Sequence, residues 1–258
     1  MARTGRKSRR ALLVLSVAGV LVGGAVVAGG VAAMSALSGD DSGAPAAARP
    51  SASATTGGSG GGGEAMTPAR GKKVALDVPT GTKGGAATGF PHTARGAVSA
   101  AVYFWENYPY LDDRAARRQL NAVTSPDATR YIDQQVSEVR QLREGAGLQP
   151  SGPAPVGITF TTSVNAARPA SILLPGERPG DVIQVWLHYD RYGIEAGAGT
   201  DDNPLTGETT NLILKWQDNA WKLTNEPKYQ AKTTYPTAYD PHSRHAWTDG
   251  WTQIRHAD

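Results

Sequence analysis

The sequence predicts an α+β protein in which a transmembrane helix and a disordered linker precede helices packed on a curved antiparallel sheet. Three observations support this order. An uncharged apolar run lies near the amino terminus, a stretch rich in glycine, serine and alanine follows it, and the remaining apolar residues recur first at helical spacing and then at alternate positions. Helices followed by consecutive strands at short spacing are typical of an α+β domain whose helices lie on one face of the sheet.

The amino-terminal residues have the pattern of a membrane anchor. Residues 1–10 form a basic tail with five Lys or Arg residues, and residues 11–37 carry no charge. As a helix, the uncharged run would be about 40 Å long, whereas the hydrocarbon core of a bilayer is about 30 Å thick. The positive charges before the run predict a single span, with the amino terminus in the cytoplasm and the rest of the chain outside the cytoplasmic membrane. A cleaved export signal is the alternative interpretation, and it places the domain on the same side.

Two glycines within the predicted span, Gly19 and Gly23, have the spacing G-x-x-x-G. Small residues at this spacing let two membrane helices approach closely, so self-association is one interpretation. The other is that glycine is abundant in the whole chain, which has 31.

Residues 38–75 consist mainly of Gly, Ser, Ala, Thr and Pro, and they include the run TTGGSGGGGE. Such a composition buries too little apolar surface to offset the entropy lost on ordering, so we expect a flexible linker. A tether of this kind suits a domain that searches for a partner.

The chain has a net charge of +3, but its charges are unevenly placed. Residues 1–75 hold nine of the 26 Lys and Arg residues and three of the 23 Asp and Glu residues, which leaves residues 76–258 with a net charge of −3. The predicted domain therefore has no basic surface for a phosphate backbone, and no nucleic-acid partner is expected. Because the chain has no cysteine, disulfide bonds, cysteine-based zinc sites and cysteine catalysis are excluded.

The predicted extracytoplasmic domain, residues 76–230, begins with three helices. Thr93 and Asp112 are the expected N-caps of the first two, and Ser125, followed by Pro126, is the expected N-cap of the third. Apolar stripes at helical spacing are expected to face the core: Val98, Ala101, Val102 and Trp105 in the first helix, and Ala128, Ile132, Val136, Val139 and Leu142 in the third.

After the break PSGPAP, apolar residues alternate, which predicts strands of an antiparallel sheet. Four strands are expected in GITFTTSV, DVIQVWLHYDRY, ETTNLILKW and AWKLTN, and the short run SILL is a further candidate.

The stretch LILKWQDNAWKL, residues 212–223, predicts a hairpin with a two-residue turn at Asp218 and Asn219, both of which tolerate positive φ. In this register the facing pairs are Trp216 with Trp221, Leu214 with Leu223, and Lys215 with Lys222. The tryptophans and leucines are expected to pack on the helices, and the lysine face is expected to be solvated because like charges repel. A Trp216→Ala change would then cost about 3–5 kcal/mol if the ring is fully buried. A ligand platform is the alternative role for the two tryptophans.

Helices followed by strands that end in a hairpin of the form W-x-x-x-x-W-K-L resemble the nuclear-transport-factor-2-like fold, a cone of curved sheet wrapped on helices. With the basic tail, the single span and the tether, the layout of the whole chain resembles the TcpC-like scaffold proteins of conjugation and type IV secretion, and also mycobacterial Mce-associated membrane proteins. The resemblance implies a scaffold component of a conjugation or secretion apparatus. It carries no functional residues to this chain, because no residue set in it is diagnostic.

Some proteins of that fold, such as SnoaL-like cyclases and ketosteroid isomerases, use Asp, His or Tyr in the cone. Here WLHYDRY places His188 and Asp190 on one face of a strand with Trp186, while Tyr189 points the other way. If that face lined a pocket, His188 and Asp190 could act as base and orienter. The alternative is an ordinary strand whose outer face carries these side chains. No Walker-type loop, G-x-S-x-G or H-E-x-x-H motif is present, so we predict that the protein is not an enzyme.

Residues 231–258 are expected to form an irregular tail, in which Trp247 and Trp251 either dock on the domain or present an aromatic anchor to a partner. Two groups of possible metal ligands lie in or near this tail: His242, His245 and His256, and the loop residues Asp201, Asp202, Asn203 and Glu208. The histidines lie in a tail broken by Pro and Gly, with no helix expected to hold them, and the loop residues lack the spacing of an EF-hand. We therefore predict solvated loops with no metal and no cofactor.

The sequence as a whole predicts a single-pass, extracytoplasmic protein-interaction module that binds other membrane or envelope proteins. An exported small-ligand-binding protein or an enzyme that uses the cone interior is the alternative.

Overall fold

The computed structural model describes residues 65–197, 201 and 204–256. The predicted cytoplasmic tail, the predicted span with Gly19 and Gly23, and most of the predicted linker lie outside the described residues. Within the described part of the chain, no helix has both the length and the hydropathy that a membrane crossing requires.

Along the chain, the described residues form three short strands, three helices, four further strands, two short helices and a last short strand. The helices are α1 (Ala94–Glu106), α2 (Asp113–Val123), α3 (Tyr131–Gly145), α4 (Pro227–Gln230) and α5 (Arg244–Thr248). The strands are β1 (Val74–Ala75), β2 (Gly81–Lys83), β3 (Ala86–Thr88), β4 (Ile158–Ser171), β5 (Val182–Glu195), β6 (Leu205–Gln217), β7 (Ala220–Leu223) and β8 (Thr252–Arg255).

Six strands form one curled sheet in the order β1-β8-β4-β5-β6-β7. Neighbouring strands in it are antiparallel, except for the parallel pair of β1 and β8. The helices α1, α2 and α3 share one hydrophobic core with one face of β4–β7. Trp105 and Leu120 lie at its centre and are fully buried. The α+β class predicted from the sequence is therefore confirmed.

The caps predicted for the first two helices are confirmed. The Thr93 hydroxyl accepts a hydrogen bond from the Gly96 N–H, and the Asp112 carboxylate accepts from Arg114 and Ala115. These bonds satisfy N–H groups that the first helical turn leaves without partners.

The cap predicted for the third helix is wrong, because α3 begins at Tyr131 rather than after Ser125. The Ser125 N–H donates to the Leu223 carbonyl of β7, and its hydroxyl donates to Gln217 Oε1 at 2.8 Å. The polar groups of Ser125 therefore bind the sheet, and the chain forms turns here before the helix begins. The predicted stripe still faces the core, since Val136 and Val139 are buried.

The four predicted strands are confirmed as β4 to β7, but SILL is not a separate strand. β4 continues to Ser171, and the Ile172 N–H donates to the Val182 carbonyl where the chain turns into β5.

The predicted hairpin of β6 and β7 has the predicted register and turn. Trp216 faces Trp221, Leu214 faces Leu223 and Lys215 faces Lys222. Asp218 and Asn219 have φ of 53° and 56°, the left-handed values that a type I′ turn requires.

The lysine face of this hairpin is not freely solvated, contrary to the prediction. The Lys215 ammonium donates to the carboxylates of Asp127 at 2.7 Å and Glu226 at 3.3 Å, and Lys222 donates to the Ala122 carbonyl at 2.9 Å. The two facing lysines thus avoid repulsion by binding different acceptors.

The chain on either side of the predicted domain is part of the same folded unit, which includes Met66 to residue 256. β1 lies within the predicted linker, and α5 and β8 lie within the tail that was expected to be irregular. β8 pairs with β1 on one side and with β4 on the other. The C-terminal segment therefore returns to the sheet and covers part of its outer face, opposite to α1–α3.

Candidate functional site

An open groove lies on the outer face of the sheet and holds about 400 Å³. Trp186, His188, Gly207 and Thr209 line it from β5 and β6. Residues 235–239 and Trp251 of the C-terminal segment form its wall. We call this feature the aromatic groove.

Hydrogen bonds to the sheet and within the C-terminal segment hold the wall of the aromatic groove in place. The Trp186 indole N–H donates to the Thr234 carbonyl at 2.9 Å, and the Trp251 indole N–H donates to the Thr237 carbonyl at 2.7 Å. The Asp249 carboxylate accepts from the Thr237 N–H at 2.7 Å. Both indole N–H groups therefore help to fix the wall.

The rings form two groups along the groove, Trp186 with Tyr235, and Tyr239 with His188 and Trp251. Centroid distances are 5.7 Å between Trp186 and Tyr235, 4.5 Å between His188 and Tyr239, and 5.4 Å between Tyr239 and Trp251. Trp251 is fully buried, whereas Tyr235 is 63% exposed at the rim. No charged side chain is among the described residues that line the groove. Such a surface favours uncharged, apolar ligands.

His188 lies on the floor of the groove with an unused polar atom. Its Nδ1 is buried and has no hydrogen-bond partner among the described residues. Burial lowers the pKa of His188, and the Asp190 carboxylate opposes this shift. The imidazole is therefore neutral near pH 7 and keeps one nitrogen as an acceptor and the other as a donor.

Asp190 does not orient His188 as the sequence suggested it could. One carboxylate oxygen accepts from the Gly207 N–H and the other from the Asn165 side chain, both at 2.8 Å. No hydrogen bond joins it to His188 in the described residues. Asp190 instead binds the backbone of β6 at Gly207, which lines the groove.

Tyr189 points to the opposite face, as predicted, and helps to fill the space beneath the helices. Its ring contacts Trp105 edge to face at 5.3 Å, and the Arg191 guanidinium lies 3.5 Å from the Tyr110 ring centroid. Tyr189 and Arg191 are both buried. The concave face at this point is occupied by the protein's own side chains.

The possible metal ligands are not brought together. His242 and His245 are exposed, whereas His256 binds the Glu106 carboxylate at 2.9 Å. Asp201 accepts a hydrogen bond from the Gly193 N–H. Asp202 and Asn203 lie outside the described residues, and within those that are described no cluster of three potential ligands occurs.

The two tail tryptophans dock on the domain. Trp251 is part of the groove, and Trp247 packs so closely on Gly71 that a Cβ there would lie 2.2 Å from its ring. The sequence analysis singled out neither Tyr235 nor Tyr239. The only local signal for them was the alternation of aromatic and proline residues in TYPTAYDP, which by itself does not show that the segment lies against β5.

We expect His188 to make the stability of the protein depend on pH. Because its folded-state pKa is lowered, its contribution is complete above the unfolded pKa of about 6.5 and is lost as the pH falls through and below that value. Urea unfolding at about pH 7.5 and about pH 5 should show a smaller loss of unfolding free energy for His188→Gln than for wild type. His245→Gln, at an exposed position, is the matched control. Equal losses in all three proteins would contradict this assignment.

In comparisons with known proteins, the chain matches no family model, no curated protein and no solved structure.

Proposed function

We propose that this chain is a membrane-anchored, extracytoplasmic interaction module whose aromatic groove receives an uncharged, proline-containing segment of another membrane or envelope protein. The observation that carries the proposal is the groove itself, which is lined by aromatic rings and by no charged side chain among the described residues. The apolar run and the Gly-rich stretch before the domain support the anchor and the tether.

Aromatic-lined grooves suit proline-rich peptides for a physical reason. Such peptides are already extended as a polyproline II helix, so little conformational entropy is lost when they dock. The groove is also organised in advance, because hydrogen bonds fix its wall. Thr209 is exposed at the edge of the groove, and its hydroxyl can donate to a peptide carbonyl; the partly exposed His188 ring lies on the floor.

Helices on one face of a curled six-stranded sheet support the finer proposal of a nuclear-transport-factor-2-like fold. Together with the anchor and tether, this architecture supports a role as a scaffold component of a conjugation or secretion apparatus. The buried rings on the concave face favour the outer groove over the cone interior as the binding surface.

The proposal is tested by site-specific photocrosslinking of the full-length chain in cell membranes. A photoreactive phenylalanine at Tyr235, on the rim, should capture an envelope protein through an uncharged, proline-containing segment identified by mass spectrometry. The matched control is Leu173, which is 58% exposed and does not line the groove.

A groove-blocking variant completes the test. Thr209→Arg places bulk and charge at an exposed groove position and should abolish capture from position 235 while leaving the domain folded. Equal capture from positions 235 and 173, or capture that Thr209→Arg does not change, would show that the groove is not the binding surface.

A further inference from the structure

The first half of β4, residues 158–163, has a sheet neighbour on one side only. β5 pairs with β4 along its whole length, whereas β8 reaches only Ala166 and Ala167. This half of β4 is therefore an edge of the sheet.

The directions of the backbone groups on this edge follow from two hydrogen bonds. The Val164 N–H donates to Glu106 Oε1 at 2.9 Å, on the side away from β5, and the Gly157 carbonyl accepts from Ala196, on the β5 side. Because backbone groups alternate along a strand, the N–H and C=O of Phe160 and Thr162 point away from β5. In the described residues, no strand or side chain binds them.

This edge lacks the features that normally protect an exposed strand. Edge strands are usually shielded by charged side chains or proline. The second half of β4 contains Arg168 and Pro169, and Pro169 has no N–H to offer. Residues 158–163, Ile-Thr-Phe-Thr-Thr-Ser, contain neither a charge nor a proline. The unprotected half is therefore available to pair with another strand.

We propose that two copies of the chain pair through this edge, antiparallel, so that β4 of one copy continues the sheet of the other. Phe160 and Thr162 are the residues whose N–H and C=O are both free, since Glu106 occupies the Val164 N–H. A two-fold arrangement must therefore place Phe160 opposite Thr162 of the second copy, with Thr161 opposite Thr161 of the second copy at the axis.

The strand is complementary to itself. The arrangement forms four backbone hydrogen bonds, two from each Phe160 and Thr162 pair. Residues 158–163 carry no charge, and the Glu106 carboxylate of each copy lies beyond them at Val164, so no like charges face each other; facing threonines are a favourable cross-strand pair. Thr159 and Thr161 are exposed on the outer face and meet no obstacle from the helices, which lie on the other face. A second copy is thus the occupant that this edge fits.

The absence of cysteine from the chain allows a direct test by disulfide crosslinking. The full-length protein in detergent, with Gly19→Leu and Gly23→Leu to remove association through the predicted membrane helix, would carry Thr161→Cys as its single cysteine. The two Cα atoms at position 161 should be about 4.5 Å apart, within disulfide range, so oxidation should give a covalent dimer.

Thr159→Cys is the matched control, because it is exposed on the same face of the same strand. In the proposed register it faces Ser163 of the second copy, and the two copies of position 159 are about 14 Å apart, too far for a disulfide. Equal yields of covalent dimer at positions 159 and 161, or no dimer at either, would overturn the proposal.

Charge complementation tests the same contact without cysteine. Thr161→Lys and Thr161→Glu should each weaken dimerisation by about fivefold or more, since like charges then face each other at the axis. An equimolar mixture of the two variants should recover association in sedimentation equilibrium. A wild-type protein that stays monomeric, or a dimer that neither variant weakens, would overturn the proposal.

Discussion

Trp221→Ala is expected to lower the free energy of unfolding by about 3–5 kcal/mol, the range for truncation of a buried tryptophan. Trp221 is 6% exposed and packs in the core shared by the sheet and the helices. Its indole N–H donates to the Pro91 carbonyl at 2.8 Å, just before α1. The substitution would therefore remove the ring that joins β7 to the start of α1 and leave the Pro91 carbonyl without this partner.

Trp216→Ala is the matched control, and it corrects the expectation drawn from the sequence. Trp216 faces the same way as Trp221 but is only partly buried, and it stacks on the His92 ring at 4.4 Å. Its loss should cost less than about 3 kcal/mol, because less apolar surface leaves water on folding. Urea unfolding followed by far-ultraviolet circular dichroism measures both variants without relying on tryptophan fluorescence. A larger cost for Trp216 than for Trp221 would contradict the packing described above.

Asp113→Asn is expected to destabilise the protein by about 2 kcal/mol near pH 7 and by much less near pH 2. The Asp113 side chain is 2% exposed and accepts hydrogen bonds from the Ser151 hydroxyl, the Gly152 N–H and the Arg140 guanidinium. Burial raises the pKa of this carboxyl, but the three donors outweigh burial and lower its pKa to about 2. Asp113 thereby ties the loop before β4 to α2 and α3.

The sign of the pH dependence follows from this lowered pKa. The folded state holds the carboxylate at a pH where the unfolded chain, with a pKa of about 3.9, is already protonated. The stabilisation is therefore complete above about pH 4 and is lost as the pH falls toward about 2. Asp133→Asn is the control, since Asp133 forms an exposed ion pair with Arg117 and should cost less than about 1 kcal/mol at any pH. Urea unfolding of both variants and of the wild type across this pH range measures the effect. If the free-energy cost of Asp113→Asn does not change with pH, the assignment is mistaken.

Local signals predicted the parts of the fold that depend on neighbouring residues. Thr93 and Asp112 cap their helices because a side-chain oxygen can reach an N–H two or three residues later. Asp218 and Asn219 form the predicted turn because both tolerate positive φ. Ser125 carries the same local signal as the other caps, but β7 lies beside it and binds its backbone, so the helix begins later.

The groove shows what local patterns leave open. The sequence placed His188 and Trp186 on one face of a strand, which is correct, since alternation fixes the faces. It did not show that the segment with Tyr235 and Tyr239 covers that face, or that Asp190 binds Gly207 rather than His188. Those contacts join residues far apart in the chain, and no periodicity encodes them.

Residue spacing and turn chemistry within about 20 residues were enough to predict the α+β class, the order of the long helices and strands, and the register of the β6–β7 hairpin. The return of the C-terminal segment to the outer face, the partial exposure of Trp216, the burial of Trp251 and the open edge at residues 158–163 were visible only in the folded structure. In each case, segments far apart in the chain can cover the same surface or bind the same backbone groups. Which segment does so depends on the packing of the whole domain.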